Sequence, residues 1–340
     1  MHTLLLDTLQ SATDEVYKTV RRVARETPLL SSPALDELAG RQLFVKAESL
    51  QHTGSFKFRG AFYRLNNLKL QQREKGVVAF SSGNFAQGLA RAGQLLGVSV
   101  TIVMPKDVPE LKVLGTRRYD AAVVFAQPDG RPREVVSAEL AACIAHAKHC
   151  VLLHPFDDAD VVFGHSSLGT ELLLQLEEMG EDLPLSSLLV PAGGGGLAAG
   201  IAVALRSHGS PMRLIAVEPE GYDDLARSLS AGQRQCNGAT SPTLCDALQA
   251  VSPGAVPFSV LREALHSAVS VTDNEVRFAM RAAAEHLKLI LEPSGASALA
   301  ATLAARSRGF ELGDRVGVVC SGGNISPDQF ATHLAAHSHH

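Results

Sequence analysis

No block of basic residues of the kind that tracks a phosphate backbone occurs in this chain: 31 Lys and Arg stand against 35 Asp and Glu, a formal net charge of −4. That argues against a nucleic-acid partner. Cysteine is sparse and has no pairing pattern. The five cysteines, Cys143, Cys150, Cys236, Cys245 and Cys320, are odd in number and form no CxxC, so free thiols in a reducing cytoplasm are expected, not a disulfide framework or a structural zinc. The start, MHTLLLDTLQ, has only three consecutive leucines before Asp7, too short and too acidic for a signal peptide. The longest apolar run, Leu188 to Leu205, is interrupted by Pro191 and by the glycines Gly193 to Gly196, which would leave backbone groups unsatisfied in lipid. It reads as buried strand, loop and helix, with no membrane partner. There is also no repeat of fixed period and no low-complexity linker. What remains is a chain of 340 residues, 46% apolar and 19% charged. That is a globular composition, with length enough for one large α/β domain or two lobes.

Period-2 and period-3.6 patterns alternate along it. Strands are predicted at Leu43 to Glu48, Gly76 to Phe80, Val98 to Met104, Tyr119 to Phe125, Leu188 to Val190, Arg213 to Glu218 and Arg315 to Cys320. Helices are predicted at Ala12 to Glu26 (capped by Thr13 or Asp14 and ended by Pro28), Phe56 to Leu65, Leu89 to Leu96, Arg133 to Lys148, from Leu197, at Glu275 to His286 and at Ser294 to Arg306. Such alternation implies right-handed crossovers and mostly parallel sheets flanked by helices.

Four stretches stand at strand ends. In GSFKFRGA, Gly54 to Ala61, Lys57 falls where a strand gives way to a helix, with phenylalanines on both sides. Partial desolvation there disfavours the ammonium and frees an amine for Schiff-base chemistry; the plain alternative is a solvated lysine. PAGGGGLAAG, Pro191 to Gly200, lets backbone approach an anion at a helix N-terminus. A phosphorylated cofactor and a dinucleotide both suit it, because Gly193, Gly195 and Ala198 satisfy a relaxed dinucleotide fingerprint with Glu218 as the ribose-binding acid. SSGNFAQG, Ser81 to Gly88, offers Ser81, Ser82, Asn84 and a Gly83 turn to a carboxylate, or else is an ordinary helix cap. CSGGN, Cys320 to Asn324, is the fourth. Ligands of open α/β sheets lie beyond the carboxyl ends of strands, so these loops can face one crevice.

In order and rough spacing, SFKFRGA, SSGN, GGGGL, EPSGA (Glu292 to Ala296) and SGGN resemble the pyridoxal-phosphate enzymes of fold type II, the tryptophan-synthase-β-like family, in its serine/threonine dehydratase and serine racemase branch. HPFDD (His154 to Asp158) and VEPE (Val217 to Glu220) join them, so the likeness runs from about Thr27 to Pro327. The resemblance settles the glycine loop against a dinucleotide. It implies that Lys57 carries pyridoxal 5'-phosphate as a Schiff base, with Phe56 against the ring and Asn84 on the 3′ oxygen. Gly193, Gly194, Gly195, Gly196 and Leu197 would hold the phosphate, Glu292 would lie at the cofactor, and Ser321 would meet the pyridine nitrogen. Ser82, with Ser81, Gly83, Asn84 and Phe85, would receive the substrate, Ser82 and Lys57 being the catalytic pair. A serine at the pyridine nitrogen does not strongly favour its protonation, which weakens the electron sink and favours loss of a β leaving group.

The implied activity is an ammonia-lyase (dehydratase) that turns a β-hydroxy amino acid into a 2-oxo acid and ammonia. Serine racemase is the alternative, and a silent pyridoxal-phosphate-binding protein is the alternative of another class. The branch often holds Mg²⁺ or Ca²⁺, here at Glu218, the Tyr222 carbonyl and Asp224 around a Gly221 turn. It also implies a homodimer, a large lobe of residues 1–75 and 151–330, a small mobile lobe of 76–150, and a tail at 331–340. The sequence departs from the branch at Phe85, usually histidine, at GHSS (Gly164 to Ser167), usually GQGT, and at TLCDA (Thr243 to Ala247). These changes touch the substrate side, and Phe85 in particular suggests a bulkier substrate such as phenylserine. No regulatory domain follows SGGN, in keeping with an enzyme that lacks feedback control by isoleucine.

Overall fold

The computed structural model describes residues 2–81, 83–108, 110–127, 130–131, 133–180, 184–238 and 242–336. Ser82 and the final four residues therefore lie outside the described set. Two sheets organise the described chain. The larger contains β1 (Leu29–Leu30), β2 (Gln42–Ala47), β7 (Ser187–Pro191), β8 (Arg213–Pro219), β9 (Ser267–Val271) and β10 (Arg315–Cys320), in the order β1-β2-β10-β7-β8-β9. The smaller contains β3 (Val77–Phe80), β4 (Val100–Pro105), β5 (Ala122–Ala126) and β6 (Val151–Leu153), in the order β5-β4-β3-β6. All pairings are parallel except β1 with β2. Helices cover the faces, which is why β7 and most of β2, β8 and β10 are buried with nearly continuous apolar side chains. Among the described residues no helix is long and apolar enough to cross a membrane.

The elements read from pattern are present, with shifted bounds at several ends. The first helix runs His2–Arg21, so Thr13 and Asp14 lie inside it and cap nothing. Thr13 Oγ1 instead donates back to the Leu9 and Gln10 carbonyls and meets Ser207 Oγ at 2.9 Å. The helix predicted at Glu275 to His286 is α-helical over Asp273–Ala282, where Thr272 and Glu275 form a reciprocal cap, and then widens into a π turn over Ala283–Leu287. Helix Ala159–Glu178 was not foreseen. Its Gly164, Ser166, Ser167 and Gly169 have loop-like propensity, but the two serines bond back to the Phe163 and Gly164 carbonyls within the helix, and the two glycines sit where neighbours press on them. A Cβ on Gly164 would stand 2.8 Å from the Gly60 Cα, and one on Gly169 2.6 Å from the Ala204 Cβ. Close helix packing overrides propensity there.

Beneath these helices lies a buried ionic cluster. Arg59 donates from Nε and Nη2 to both oxygens of Glu48 (2.9 and 2.8 Å) and from Nη1 and Nη2 to both oxygens of Glu171 (2.9 and 2.7 Å). Lys46 Nζ donates to Glu171 Oε1 (2.7 Å), to the Thr27 carbonyl and to Gln175 Oε1 (both 2.6 Å). Burial pushes the Glu171 carboxyl up, but Arg59 and then Lys46 outweigh it and hold it below its ordinary range. Removing one partner from such a cluster leaves a buried charge uncompensated. Glu171→Ala is expected to lower unfolding free energy by about 3–5 kcal/mol, as read from urea midpoints, with Lys46→Met in the same chain restoring part of the loss.

Candidate active site

Three neighbouring strands of the large sheet, β2, β10 and β7, end at one place, and each is followed by one of the motifs. From β2 the chain makes two tight turns and delivers Lys57 to the first position of helix Lys57–Asn66. The loop after β10 is laid directly on this segment. Phe56 N–H donates to the Ser321 carbonyl (3.1 Å), Gly323 N–H to the Gly54 carbonyl (2.9 Å), and Asn324 Nδ2 to the Thr53 carbonyl (2.7 Å). The loop after β7 opens helix Gly196–Ser207 through Gly195, whose φ of +84° is left-handed and whose position carries no side-chain cap. First-turn N–H groups there are left to an anion. A Cβ on Gly194 would fall onto the Phe156 ring, and one on Gly193 would come within 3.0 Å of the Leu248 Cα, so the loop is held tightly between two walls.

Lys57 Nζ donates to the Pro155 carbonyl (2.9 Å) and lies 5.1 Å from the Phe56 ring centroid and 5.8 Å from that of Phe85. A little of the side chain stays open to the crevice, yet enclosure by protein pulls the amine down to about 8. Phe56 packs edge-on against His165 at 4.9 Å. His165 is buried, with no partner for either ring nitrogen among the described residues, and burial, followed by the charges of Lys57 and Arg59, keeps it neutral. Helix Asn84–Leu96, after β3 of the small sheet, approaches closely because a Cβ on Gly88 would already stand 3.0 Å from Phe58 N. Its first residue bridges the two sheets: Asn84 Nδ2 donates to Glu292 Oε1 (2.5 Å) and Asn84 Oδ1 accepts from Asn324 Nδ2 (2.7 Å). Burial, then the neighbouring Asp246, pushes the Glu292 carboxyl up to about 8 in spite of the Asn84 bond.

Lys57, Phe56, Asn84, Glu292, Ser321 and the glycine loop are thus brought together. Ser81 and Gly83 flank the start of the Asn84 helix, and the Gly83 N–H donates to Ser81 Oγ (3.3 Å). Ser82 is outside the described residues. The Phe85 ring is 2% exposed and packs with Phe58, Ala86 and Leu89, turning its face to Lys57. Glu218, Tyr222 and Asp224 stand apart at the end of β8. Sequence reasoning assigned no role to Asn324, the Pro155 carbonyl, Phe156 or His165. Asn324 was visible as a polar residue in a strand-end loop; a carbonyl acceptor leaves no trace in a sequence.

A desolvated lysine amine and an uncapped glycine cradle for an anion, at the carboxyl ends of neighbouring parallel strands, define a site suited to a phosphorylated aldehyde cofactor. Residues 20–322 match the family described as pyridoxal-phosphate dependent enzyme, and the chain belongs to that family, with pyridoxal phosphate as its cofactor. It is 40% identical over 328 residues, 95% of this chain and 98% of the relative, to an L-threo-3-hydroxyaspartate ammonia-lyase of Pseudomonas sp. It is 34% identical over 312 residues, 92% of this chain and 93% of the relative, to a serine racemase of Dictyostelium discoideum. Among solved structures it is similar to a threonine deaminase of T.th., with a TM-score of 0.85, 37% identity and coverage of 93% and 98% of the two chains. The fold is that of the type II enzymes of this family, as the sequence motifs implied.

Since only the free amine attacks an aldehyde, cofactor capture by the apo-protein is expected to rise with pH until about 8 and to level off above it. Below that point each unit of pH should cost about tenfold in rate. Stopped-flow absorbance after mixing with pyridoxal phosphate reads this, and Lys57→Ala should abolish the signal at every pH.

Proposed function

We propose that this enzyme is an ammonia-lyase that releases ammonia and a 2-oxo acid from a β-hydroxy amino acid. The observation that carries the proposal is the Lys57 amine, held on the Pro155 carbonyl between the Phe56 and Phe85 rings at the end of β2, in a chain whose relatives include ammonia-lyases acting on hydroxy amino acids; its enclosure draws it down to about 8. When bound, pyridoxal phosphate supplies the electron sink for charge developing at Cα. Lys57 takes the α-proton, for which an amine near neutrality is suited. The Gly193 to Leu197 backbone would hold the cofactor's phosphate, and Ser321 and Asn84 would hold its ring. Glu292, kept largely protonated at pH 7 by its burial, adds no negative charge to the crevice. The SSGN loop, Ser81 to Asn84, with the Phe85 N–H at the first helical turn, receives the substrate carboxylate, Ser82 belonging to this set on sequence grounds. The unit built on the small sheet, residues 76–153 once strand β6 is counted with the sheet it pairs in rather than 76–150, closes over the substrate; the Asn84 contacts with Glu292 and Asn324 support this, because they join the two units at the site itself. A homodimer in the cytoplasm completes the proposal, and the free state of all five cysteines supports a reducing compartment.

L-Serine, L-threonine, L-threo-3-hydroxyaspartate and 3-phenylserine should be assayed together for ammonia and 2-oxo acid, with D-serine followed in parallel. At least one 3-hydroxy amino acid is expected to be deaminated, and Lys57→Ala is expected to lose both this activity and the cofactor adduct fixed by borohydride. D-Serine without keto acid would favour the racemase; a fixed adduct without turnover of any substrate would leave a binding protein. The burial of the Phe85 ring within the small-sheet unit leaves it little surface for a bulky β-substituent, so Phe85→His is expected to leave the ratio of kcat/KM for phenylserine and serine unchanged.

A divalent cation, Mg²⁺ or Ca²⁺, belongs in this proposal at Glu218, the Tyr222 carbonyl and Asp224. Glu218 is fully buried and accepts the Leu225 and Ala226 N–H groups (2.8 and 3.0 Å). Asp224 Oδ1 accepts from Asn237 Nδ2 (2.6 Å), while its Oδ2 is buried with no hydrogen-bond partner among the described residues. An orphaned carboxylate oxygen beside a second buried acid suits a hard cation. Among the described residues no group of three or more His, Cys, Asp and Glu gathers for a metal, so the backbone carbonyl is needed to complete the set. Exhaustive chelation is expected to lower Tm by a few degrees and added Mg²⁺ to restore it; an unchanged Tm under both treatments would remove the cation from the proposal.

A further inference from the structure

The crevice between the sheets is bridged a second time, by a pair that the reaction does not use. Lys112 Nζ, on helix Glu110–Arg117 of the small-sheet unit, donates to Asp246 Oδ2 at 2.8 Å. Asp246 opens a short turn of the large-sheet unit that runs to Leu248. That turn is wedged into the site already described: the Leu248 Cα backs the glycine loop at Gly193, and the Ala247 N–H donates to Ser294 Oγ (3.0 Å) at the start of helix Pro293–Arg308. Glu292 feels the charges of both Asp246 and Lys112, which puts the pair within electrostatic reach of the crevice. On the other side, the helix of Lys112 packs on the SSGN helix, since a Cβ on Gly115 would stand 2.8 Å from Gln87 Oε1. Lys112 therefore travels with the loop proposed to hold the substrate's α-carboxylate.

The two partners are 31% and 55% exposed. A pair this wet is weakly stabilising, so an incoming anion can take the place of Asp246, whose carboxylate then returns to water at little cost. We propose that Lys112 selects the substrate's second carboxylate, making the favoured substrates dicarboxylic 3-hydroxy amino acids that exchange with Asp246 on its ammonium. A monocarboxylic substrate leaves the Lys112–Asp246 pair intact and gains nothing from it. This rests on the ammonia-lyase activity proposed above.

The test compares kcat/KM for L-threo-3-hydroxyaspartate, L-serine and L-threonine in the holoenzyme and in Lys112→Gln, Lys112→Arg and Asp246→Asn. Losing a charge-assisted contact to a carboxylate should lower kcat/KM for the dicarboxylic substrate roughly tenfold or more in Lys112→Gln. The loss should fall chiefly on KM and clearly exceed the loss for serine or threonine. Lys112→Arg should retain most of the preference, and Asp246→Asn, which removes the competing anion, should raise it. L-Aspartate, dicarboxylic and without a β-hydroxyl to lose, gives a readout that does not need its own turnover: as a competitor of L-serine deamination in the holoenzyme it should inhibit more weakly in Lys112→Gln, and L-alanine should not. An equal fall for all substrates would reduce Lys112 to a latch between the two units and overturn the assignment, as would an unchanged preference. Wild-type enzyme that deaminates 3-phenylserine but none of the three would overturn this inference alone, and wild-type enzyme that deaminates no 3-hydroxy amino acid would overturn the lyase reading and this inference with it.

Discussion

Two buried cations and two buried carboxylates hold the centre of this molecule. Lys46, Glu48, Arg59 and Glu171 come from β2, the turn after it, the lysine helix and helix Ala159–Glu178. Taking four charges out of water is costly, and the cost is offset only while every charge keeps its partner and its geometry. None of the four segments can slide without stranding a charge. Burial alone would lower the Arg59 guanidinium, yet Glu48 and Glu171 hold it above its ordinary value, so it stays ionised in place. Lys57, two positions before Arg59, inherits that fixed position at the end of the sheet.

The convergence of the motifs follows from strand order. β2, β10 and β7 are adjacent, although they lie far apart in the chain, so the loops after them meet at one edge as the rule for parallel sheets requires. Small residues close the remaining distance. Gly60, Gly164, Gly169 and Gly200 let helices approach to backbone contact, while Gly88 lets the small-sheet unit reach Lys57. The crevice itself combines a desolvated amine with a carboxyl raised by burial, and both shifts leave it with less charge than its residue types suggest.

Much of this was legible beforehand. The strand-to-helix joint at Lys57, the glycine loop at Gly193 to Gly196 that opens a helix, and strand Arg315–Cys320 were readable from period, glycine spacing and flanking residues, because those signals act within a few positions. Helix Ala159–Glu178 was not, because its glycines obey a packing demand imposed by other helices. Thr13 and Asp14 looked like caps because capping residue types are the same ones that can bond back within a helix.

The sequence by itself determined the alternating α/β class, the cofactor family and the strand-to-helix joint at which Lys57 stands, since each rests on short motifs whose chemistry is local. Only the tertiary structure decided which groups share a field. It joined Asn84 to Glu292 and Asn324, set Lys112 on Asp246 across the crevice, drew Lys57 down to about 8, and left Asp224 Oδ2 without a partner among the described residues. Burial and long-range pairing set these properties, and neither is encoded in the spacing of neighbouring residues: a lysine's proton affinity depends on the protein packed around it.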